Sequence, residues 1–393
     1  MIKQPVKILL GGVPFGSGNI GDEAILNCVV DIFRRNFPDA DLAIATFDGA
    51  GCAARHKVRT LPPFGFAPYA GIRLFRKTLR EFDVFVWAGG TGLSEYPQIG
   101  ALLLEAAQGC RVKTVIWQVG MNRELNPEYF QLHGRRLKIA DFFGVTRYLE
   151  RQMELRMRER LQICVSDCDL VILRDQPSLI ELHASGEFPA AVFGADSVIL
   201  QRPSPGKLLH ADAGNRRSVG ICVAEKLNRM KFSEAVDFLN RLQKEQHLRL
   251  IFIPMTENDR QLMIPLAEKL EERSGNILVE HTDPEDIQNI VGECSLLISG
   301  RLQLTLMGLN ALVPGIGVAN SSKIANCLNM FGLPVFNNQS TIDFEQLYAE
   351  CCRWLADPDF RSRAETVRSR MLKRMEQSEK SLRELLTESI DAL

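Results

Sequence analysis

The stretch Gly11-Gly12-Val13-Pro14-Phe15-Gly16-Ser17-Gly18-Asn19-Ile20-Gly21-Asp22-Glu23-Ala24-Ile25-Leu26 joins a short apolar run to a segment with helical periodicity. Residues 6–10 before it predict a buried strand, and the apolar residues at its end and beyond recur at spacings of three and four, as on one face of a helix. Its five glycines can adopt backbone angles that side chains forbid, or let a ligand approach the main chain. Asn19 stands where a helix N-cap belongs, and the free N–H groups of such a helix start form an anion site.

The spacing within this stretch excludes both standard phosphate-binding loops. No Lys-Ser or Lys-Thr pair ends it, as the P-loop of nucleotide triphosphatases requires. The glycine spacing is irregular and no ribose-binding acid follows the next strand, so the dinucleotide-binding pattern also fits poorly. Two interpretations remain, a ligand-binding loop and a tight strand-to-helix turn. The entropy cost of ordering five glycines favours the ligand-binding loop.

A family resemblance emerges from four stretches that occur in order along the chain. The segment Phe15-Gly16-Ser17-Gly18-Asn19-Ile20-Gly21-Asp22-Glu23-Ala24 resembles the opening motif of the polysaccharide pyruvyl transferase family. The other three are Trp87-Ala88-Gly89-Gly90-Thr91-Gly92, Leu173-Arg174-Asp175-Gln176-Pro177-Ser178-Leu179 and Ile298-Ser299-Gly300-Arg301-Leu302. The chain departs from the family at the last motif, where Arg-Leu-His is usual and Arg301-Leu302-Gln303 stands here.

The composition describes an ordinary globular protein. A chain of 393 residues suggests two domains, and 46% hydrophobic with 24% charged residues is typical of such proteins. The formal net charge of -1 gives no indication of nucleic acid as a partner. No 18-residue apolar stretch occurs, so we expect neither a signal peptide nor a membrane span. We therefore expect a cytoplasmic protein, and a peripheral contact with a membrane stays open.

The sequence offers no pattern for a metal or a cofactor. None of the six histidines falls in a motif, and the ten cysteines are scattered without zinc-binding or redox spacing. We expect reduced cysteines, no metal and no cofactor.

Apolar runs alternate with amphipathic stretches in the first half of the chain, which predicts βαβ units around a parallel sheet. The candidate strands are residues 6–10, 42–46, 84–88, 114–118, 142–145, 170–173 and 191–193. Residues 147–161 form an arginine-rich helical pattern. It is typical of a solvated helix face, and a surface for an acidic partner is the alternative.

The alternation restarts after residues 201–216, which have few apolar side chains and predict a linker. In the second half, residues 314–318 are expected to form a glycine-containing loop rather than a strand. We predict an α/β fold with domains at residues 1–205 and 206–357, and a terminal helix over 358–393 that packs back on the body. A coiled-coil partner is the alternative for that helix. The resemblance implies two Rossmann-like domains facing across a cleft, in a glycosyltransferase-B-like arrangement.

Loops that follow strands contain the candidate donor-binding residues, because ligands of open parallel sheets bind beyond the carboxyl ends of the strands. Gly90 and Arg174 each lie just after a predicted strand. Ser299 and Gly300 lead from another strand to Arg301, where a helix N-terminus and an arginine coincide.

Further donor contacts are expected from Gly18 and Asn19 at the first helix start, and from Ser321 and Lys323 at a later one. The two arginines also have structural alternatives. Arg174 could instead form an ion pair with Asp175 or at a domain interface, and Arg301 could pair with a nearby acid.

The resemblance implies phosphoenolpyruvate as co-substrate and a ketal that bridges two sugar hydroxyls as product. Such a transfer requires a proton for the enol carbon and a cationic grip on the donor, which Arg301 and Arg174 would supply. The family histidine would serve as the acid, and Gln303 has no acidic proton to give. Asp22, Glu23 and Glu95 are candidate substitutes.

We therefore expect an enzyme that resembles pyruvyl transferases and acts on a glycan or glycan-lipid acceptor. A glycosyltransferase that uses a nucleotide sugar is the first alternative. The second is a catalytically impaired relative that binds a saccharide or metabolite, because Gln303 replaces the histidine. The sequence leaves open the acceptor, the regiochemistry and the oligomeric state.

Overall fold

The structure is a computed structural model that describes residues 5–68, 71–122, 124–205, 217–280, 283–319, 322–336 and 341–392, with only the backbone for 388–392. The chain forms two compact units. The first comprises the residues up to Ser17, Val29–Ser197 and the residues from Arg374 onwards. The second comprises Gly18–Cys28 and Val198–Lys373. Residues 206–216, most of the predicted linker, lie outside the described residues.

The first unit is built on a parallel sheet of seven strands in the order β3-β2-β1-β4-β5-β6-β7. The strands are β1 (Lys7–Gly11), β2 (Asp41–Ala45), β3 (Arg59–Leu61), β4 (Val84–Ala88), β5 (Lys113–Val119), β6 (Leu170–Leu173) and β7 (Val192–Phe193). Leu10 of β1 lies between Ile44 of β2 and Val86 of β4 in register. The central strands are almost entirely buried, as apolar runs in a parallel sheet predict. The strand order reverses between β1 and β4, which is where open sheets bind ligands.

Helices connect the strands of this sheet. They are α1 (Ile20–Asn36), α2 (Gly49–His56), α3 (Ile72–Leu79), α4 (Gly92–Glu95), α5 (Pro97–Gly109), α6 (Gly134–Phe142), α7 (Thr146–Ser166) and α8 (Gln176–His183). The core contains Trp87 and Trp117, both fully buried. Phe33 of α1 meets Trp117 edge-on, with ring centroids 6.1 Å apart.

The second unit repeats the same plan with six parallel strands in the order β10-β9-β8-β11-β12-β13. The strands are β8 (Ser218–Cys222), β9 (Arg249–Phe252), β10 (Ile277–Leu278), β11 (Leu296–Ser299), β12 (Gly315–Val318) and β13 (Val335–Phe336). The helices are α9 (Arg229–Gln246), α10 (Glu257–Lys269), α11 (Pro284–Gly292), α12 (Leu302–Asn310), α13 (Ser322–Asn329), α14 (Phe344–Ala356) and α15 (Phe360–Ala392). Here the order reverses between β8 and β11. The two sheets confirm the predicted α/β class with two Rossmann-like domains.

The long helix α15 contributes to both units. In the first unit Arg374 lies over the ring of Phe193 at 4.7 Å, and Glu379 pairs with Arg35 of α1. In the second unit the Nε of Arg368 donates to Asn310. None of the ten cysteines forms a disulfide. Within the described residues, no helix has the length and apolar character that a membrane span requires.

Two predicted elements were wrong. Residues 142–145, expected as a buried strand, form the exposed end of α6 and the turn that leads to α7. Residues 315–318, expected as a loop, form the buried strand β12, whose register with β11 pairs Ile316 with Ile298. Both errors have the same cause. Whether a short segment is a buried strand depends on the elements that pack against it, and the local sequence does not show these. Gly317 is tolerated in β12 because Leu328 and Ile324 of α13 come within 3 Å of where its Cβ would lie.

The turn after β1 generates a test of this packing. A Cβ on Gly12 would lie 2.5 Å from the ring of Trp87, and Gly12 has a φ of +80°. We expect Gly12→Ala to destabilise the first unit by about 1–3 kcal/mol more than Gly134→Ala, because Gly134 has a positive φ but open space around it. Urea unfolding followed by tryptophan fluorescence in a Trp354→Phe background measures this unit alone, since Trp87 and Trp117 both belong to it. Equal losses in the two variants would show that the Trp87 contact is not what requires a glycine.

Candidate functional site

The start of α1 has the capping that its sequence predicts. The side-chain oxygen of Asn19 accepts from the N–H of Gly21 at 3.0 Å, and its Nδ2 donates to Asp22 at 2.9 Å. The N–H of Ile20 donates to the carbonyl of Met255 at 2.9 Å. That bond ties the helix start to the chain that leaves β9, and residues 18–28 belong to the second unit.

The carboxyl ends of β8 and β11 meet at the point where the strand order of the second unit reverses. Ser299 pairs with Cys222 in register, and the N–H of Gly300 donates to the carbonyl of Cys222 at 2.9 Å. A Cβ on Gly300 would lie 2.8 Å from the Cβ of Ala224 and 3.2 Å from the carbonyl oxygen of Val318. Only glycine therefore fits between these strand ends.

Arg301 caps the start of α12 and is held by a buried carboxylate. Its Nε and Nη2 donate to the two oxygens of Asp259 at 3.0 and 2.6 Å. Asp259 is fully buried, whereas 32% of the Arg301 side chain is exposed. The carboxylate also accepts from the N–H of Met255 at 3.2 Å. The paired acid that the sequence left as an alternative for Arg301 is therefore present, and it fixes one edge of the guanidinium while the other edge stays available.

Gln303 lies against the start of α1. A Cβ on Gly21 would lie 3.0 Å from both the Cγ and the Oε1 of Gln303, so the missing side chain at 21 lets the two helix starts approach. Leu302, which lies between Arg301 and Gln303 in the sequence, is buried, as predicted. Asp22, one position after Gly21, is close enough to influence Arg301 electrostatically. The second unit thus brings Asp22, Arg301 and Gln303 into one neighbourhood.

The local electrostatics favour a charged arginine beside a neutral thiol. Burial acts to lower the pKa of Arg301, but the hydrogen bonds and charge of Asp259 outweigh it, and with a contribution from Asp22 the pKa is raised above its ordinary value. Burial raises the pKa of the Cys222 thiol well above its usual range, and Asp259 adds to that effect. Cys222 is therefore a packing residue rather than a nucleophile.

Arg174 occupies a comparable position in the first unit, but it is almost entirely buried. Its Nε donates to Asp175 at 3.3 Å, and its Nη1 lies 3.8 Å from Asp196. The guanidinium fills the space above Gly120, where a Cβ would lie 2.3 Å from the Nη2. That Nη2 is buried without a hydrogen-bond partner among the described residues. The internal ion pair foreseen as an alternative is thus present, together with one donor that it does not satisfy.

Gly90 and Glu95 lie in the same unit as Arg174. Gly90 has a φ of +72°, and its carbonyl accepts from the N–H of Gly120 at 2.7 Å. Glu95 ends the short helix α4, and its carbonyl accepts from the side chain of Asn126 at 3.2 Å.

The structure divides the predicted site residues between the two units. Gly90, Glu95 and Arg174 belong to the first. The second contains Gly18, Asn19, Asp22, Ser299, Gly300, Arg301, Gln303 and Lys323. Lys323 lies in the first turn of α13, and Ser321 lies outside the described residues. The shared cleft and the donor-binding roles stay predictions.

A comparison with family models decides where the chain belongs. The model for polysaccharide pyruvyl transferase matches residues 19–322, more than half of the chain. The chain belongs to the polysaccharide pyruvyl transferase family. The matched region begins at Asn19 and includes Arg174, Arg301 and Gln303. No curated protein sequence matches the chain at a significant level.

Solved structures show the same fold at low sequence identity. One is a Listeria monocytogenes protein described as a candidate UDP-N-acetylglucosamine 2-epimerase, with a TM-score of 0.61 and 12% identity over 92% of this chain and 90% of that one. Another is Anabaena HepE in complex with UDP-glucose, with a TM-score of 0.59 and 16% identity over 96% and 99%. The Streptomyces nogalater glycosyltransferase SnogD has a TM-score of 0.50 and 14% identity over 97% and 100%. These similarities confirm the glycosyltransferase-B-like fold of this pyruvyl transferase family member.

Two residues of these sites, Asp259 and Gly120, were not singled out from the sequence. Asp259 follows Thr256 by three positions, a spacing typical of a helix start, and the Thr256 hydroxyl does accept from the N–H of Asp259 at 3.2 Å. That signal places Asp259 in a first turn but does not reveal Arg301 as its partner. Gly120 stands out only once the side chain of Arg174 above it is known, whereas Gly21 belongs to the opening motif and only its contact with Gln303 was not foreseen.

The Asp259–Arg301 pair can be tested by removing its charge. We expect Asp259→Asn to destabilise the second unit by about 2–3 kcal/mol, because the buried arginine edge loses its ion pair. Asp357→Asn is the matched control, since Asp357 pairs with the exposed Arg363 in the same unit and an exposed ion pair contributes little to stability. Hydrogen exchange of peptides from β11 and α12 in increasing urea measures the difference. Equal costs would mean that the buried pair does not stabilise this region.

Proposed function

We propose that this protein transfers a pyruvyl group from phosphoenolpyruvate to a sugar of a cell-surface glycan or its precursor, and does so in the cytoplasm. The observation that carries the proposal is Arg301 at the start of α12, within the region that the family model matches. Asp259 holds its Nε and Nη2, and the Nη1 forms no hydrogen bond to the described residues. A positioned arginine edge at a helix N-terminus is suited to a phosphate or carboxylate.

The donor carries both of those groups. The first N–H groups of α12 have no partner within the helix, and they act with the Nη1 of Arg301 on an anion. Arg301 is partly exposed, so a ligand reaches it without unfolding the site. We propose Ser299, Gly300, Gly18, Asn19 and Lys323 as further contacts to the donor, with no metal and no other cofactor.

Arg174 remains in the proposal as the second cation for the donor. Its unsatisfied Nη2 supports this role, because a buried guanidinium normally finds a partner for each nitrogen. Asp175 and Asp196 hold the rest of the group, so that a bound carboxylate or phosphate would complete its hydrogen bonds. Gly90 follows β4, which β5 separates from β6, and its carbonyl accepts from the N–H of Gly120, over which Arg174 lies. We propose it as a backbone contact to the donor.

The reaction requires protonation of one carbon of the donor and release of one phosphate. Protonation of the terminal methylene carbon of phosphoenolpyruvate leaves an oxocarbenium-like centre at the adjacent carbon, which one sugar hydroxyl attacks. A second hydroxyl then displaces the phosphate, and the two hydroxyl protons leave with the phosphate or replace the proton on the acid. The net products are a ketal that bridges two sugar oxygens and inorganic phosphate.

The proton source distinguishes this chain from its family. Gln303 holds the position of the usual histidine and cannot deliver an acidic proton. Asp22 is the best placed substitute in the second unit, because it acts on Arg301 electrostatically and lies next to Gly21, against which Gln303 packs. Glu95 is the candidate from the first unit.

Two observations favour alternatives. Anabaena HepE is described as binding UDP-glucose and has the same fold, which supports a glycosyltransferase that uses a nucleotide sugar as donor. The glutamine at 303 supports a catalytically impaired relative that binds a saccharide or metabolite.

Measurements on the wild type and two variants distinguish these functions. We expect the wild type to bind phosphoenolpyruvate and to transfer pyruvate slowly, whereas binding with no transfer would favour the catalytically impaired relative. Arg301→Ala should abolish donor binding because it removes charge-assisted hydrogen bonds. Gln303→His should raise turnover by ~100- to 10,000-fold with little change in donor affinity, because it restores a general acid. Calorimetry with phosphoenolpyruvate and with UDP-glucose measures binding, and mass spectrometry of a sugar acceptor measures transfer.

The controls separate charge from folding. Arg363→Ala removes an exposed arginine of the same unit and should leave donor binding unchanged. Arg301→Lys keeps the cation next to Asp259 but loses the planar fork, so it should fold normally and bind the donor more weakly. Binding of UDP-glucose in place of phosphoenolpyruvate would favour the glycosyltransferase. Full-speed transfer by the wild type would mean that Gln303 does not limit catalysis.

A further inference from the structure

The corner between α6 and α7 exposes an unusual set of apolar side chains. Of the 13 large hydrophobic residues exposed among the described residues, six lie between positions 139 and 149. Phe142 is 84% exposed and Phe143 is 68% exposed, and their rings meet edge-on at 5.1 Å. The others are Ile139, Val145, Tyr148 and Leu149. A cluster of this size on an otherwise polar surface is typical of an interaction site.

The backbone fixes this corner in place. Gly144 has a φ of +66°, and its N–H donates to Asp141 while that of Val145 donates to Ala140, which is the hydrogen-bond pattern of a Schellman helix end. Ala140 is the one buried residue of α6. Every other residue of α6 is exposed or half-buried, so this turn holds the apolar end of the helix at the surface.

Cations surround the aromatic pair. Arg135, Arg136 and Lys138 of α6 are exposed, as is Arg147 at the start of α7. None of these four forms an ion pair within the described part of the chain. The two acids of the same segment are engaged, since Asp141 accepts from the hydroxyl of Thr146 and Glu150 accepts from the N–H of Leu132 at 3.0 Å. The corner is thus locally basic in a chain whose formal net charge is -1.

We propose that the α6–α7 corner, residues 134–149, docks the protein onto a membrane surface that contains anionic lipid. The aromatic pair would enter the boundary between headgroups and acyl chains, and the four unpaired cations would lie among the headgroup phosphates. Charge complementarity selects this occupant over a second copy of the chain, because two copies of the corner would bring like charges together. The docking surface does not depend on which donor the second unit binds.

The magnitudes make binding measurable and sensitive to charge. Each cation near an anionic membrane surface changes the partition coefficient by about fivefold, and the attraction weakens as salt is added. Withdrawing two phenylalanine rings from the interface should cost at least roughly tenfold. Apolar and charged contributions can therefore be removed separately.

Flotation of the full chain with vesicles tests the proposal. We expect binding to vesicles of phosphatidylcholine with phosphatidylglycerol, and none to phosphatidylcholine alone. Phe142→Ser with Phe143→Ser should weaken binding at least roughly tenfold. Replacing the four cations by glutamine should weaken it further, by about fivefold for each charge. The vesicles hold no phosphoenolpyruvate or sugar, so failure here leaves the proposed reaction untouched.

Matched controls lie on other surfaces. Leu74→Ser with Met230→Ser removes two exposed apolar side chains elsewhere, and Arg361→Gln with Arg370→Gln and Lys373→Gln removes exposed charges of α15. Both should bind like the wild type. The proposal is overturned if the wild type ignores anionic vesicles, binds both kinds of vesicle equally, or loses binding equally in the controls. A wild type that ignores vesicles and forms a dimer that the phenylalanine variants disrupt would identify the corner as an interface between copies.

Discussion

The ion pair between Asp259 and Arg301 is the interaction on which the candidate site of the second unit depends. Asp259 is fully buried, and a buried carboxylate requires a cation and hydrogen bonds to stay charged. Arg301 supplies two of those bonds and the N–H of Met255 a third. The start of α10, the end of β11 and the start of α12 are therefore held together. Because the pair uses the Nε and Nη2 of the guanidinium, the Nη1 has no hydrogen-bond partner among the described residues.

Glycines allow the neighbouring strands and helices to come close to the Asp259–Arg301 pair. Gly300 allows the ends of β8 and β12 to approach β11, and Gly21 allows α1 to approach Gln303 of α12. The N–H of Ile20 then bonds the carbonyl of Met255, which neighbours the buried pair. Residues far apart in the chain thus form one polar neighbourhood at the point where the strand order reverses. The partly exposed Arg301 lies in this neighbourhood, and Gln303 stands where the resemblance led us to expect a histidine.

The local sequence predicted the individual elements of the site, but not which residues contact one another. The strands at Val84–Ala88 and Leu170–Leu173, the cap at Asn19 and the arginine at a helix start all follow from neighbouring residues. Asp259 was missed because its partner lies 42 positions away, and no periodicity reports that distance. The turn at 142–145 was misassigned because its apolar residues were assumed to be buried, whereas they are exposed beside unpaired cations. Apolar side chains that are exposed where burial is expected indicate an interaction surface at residues 142–145.

A crystal structure of the wild-type protein with phosphoenolpyruvate would test directly whether Arg301 holds the donor. We expect a phosphate or carboxylate oxygen of the donor within hydrogen-bond distance of the Nη1 of Arg301, with the Asp259–Arg301 pair intact. A donor bound away from Arg301, or one that binds only after the Asp259–Arg301 pair breaks, would show that this arginine is not the donor site.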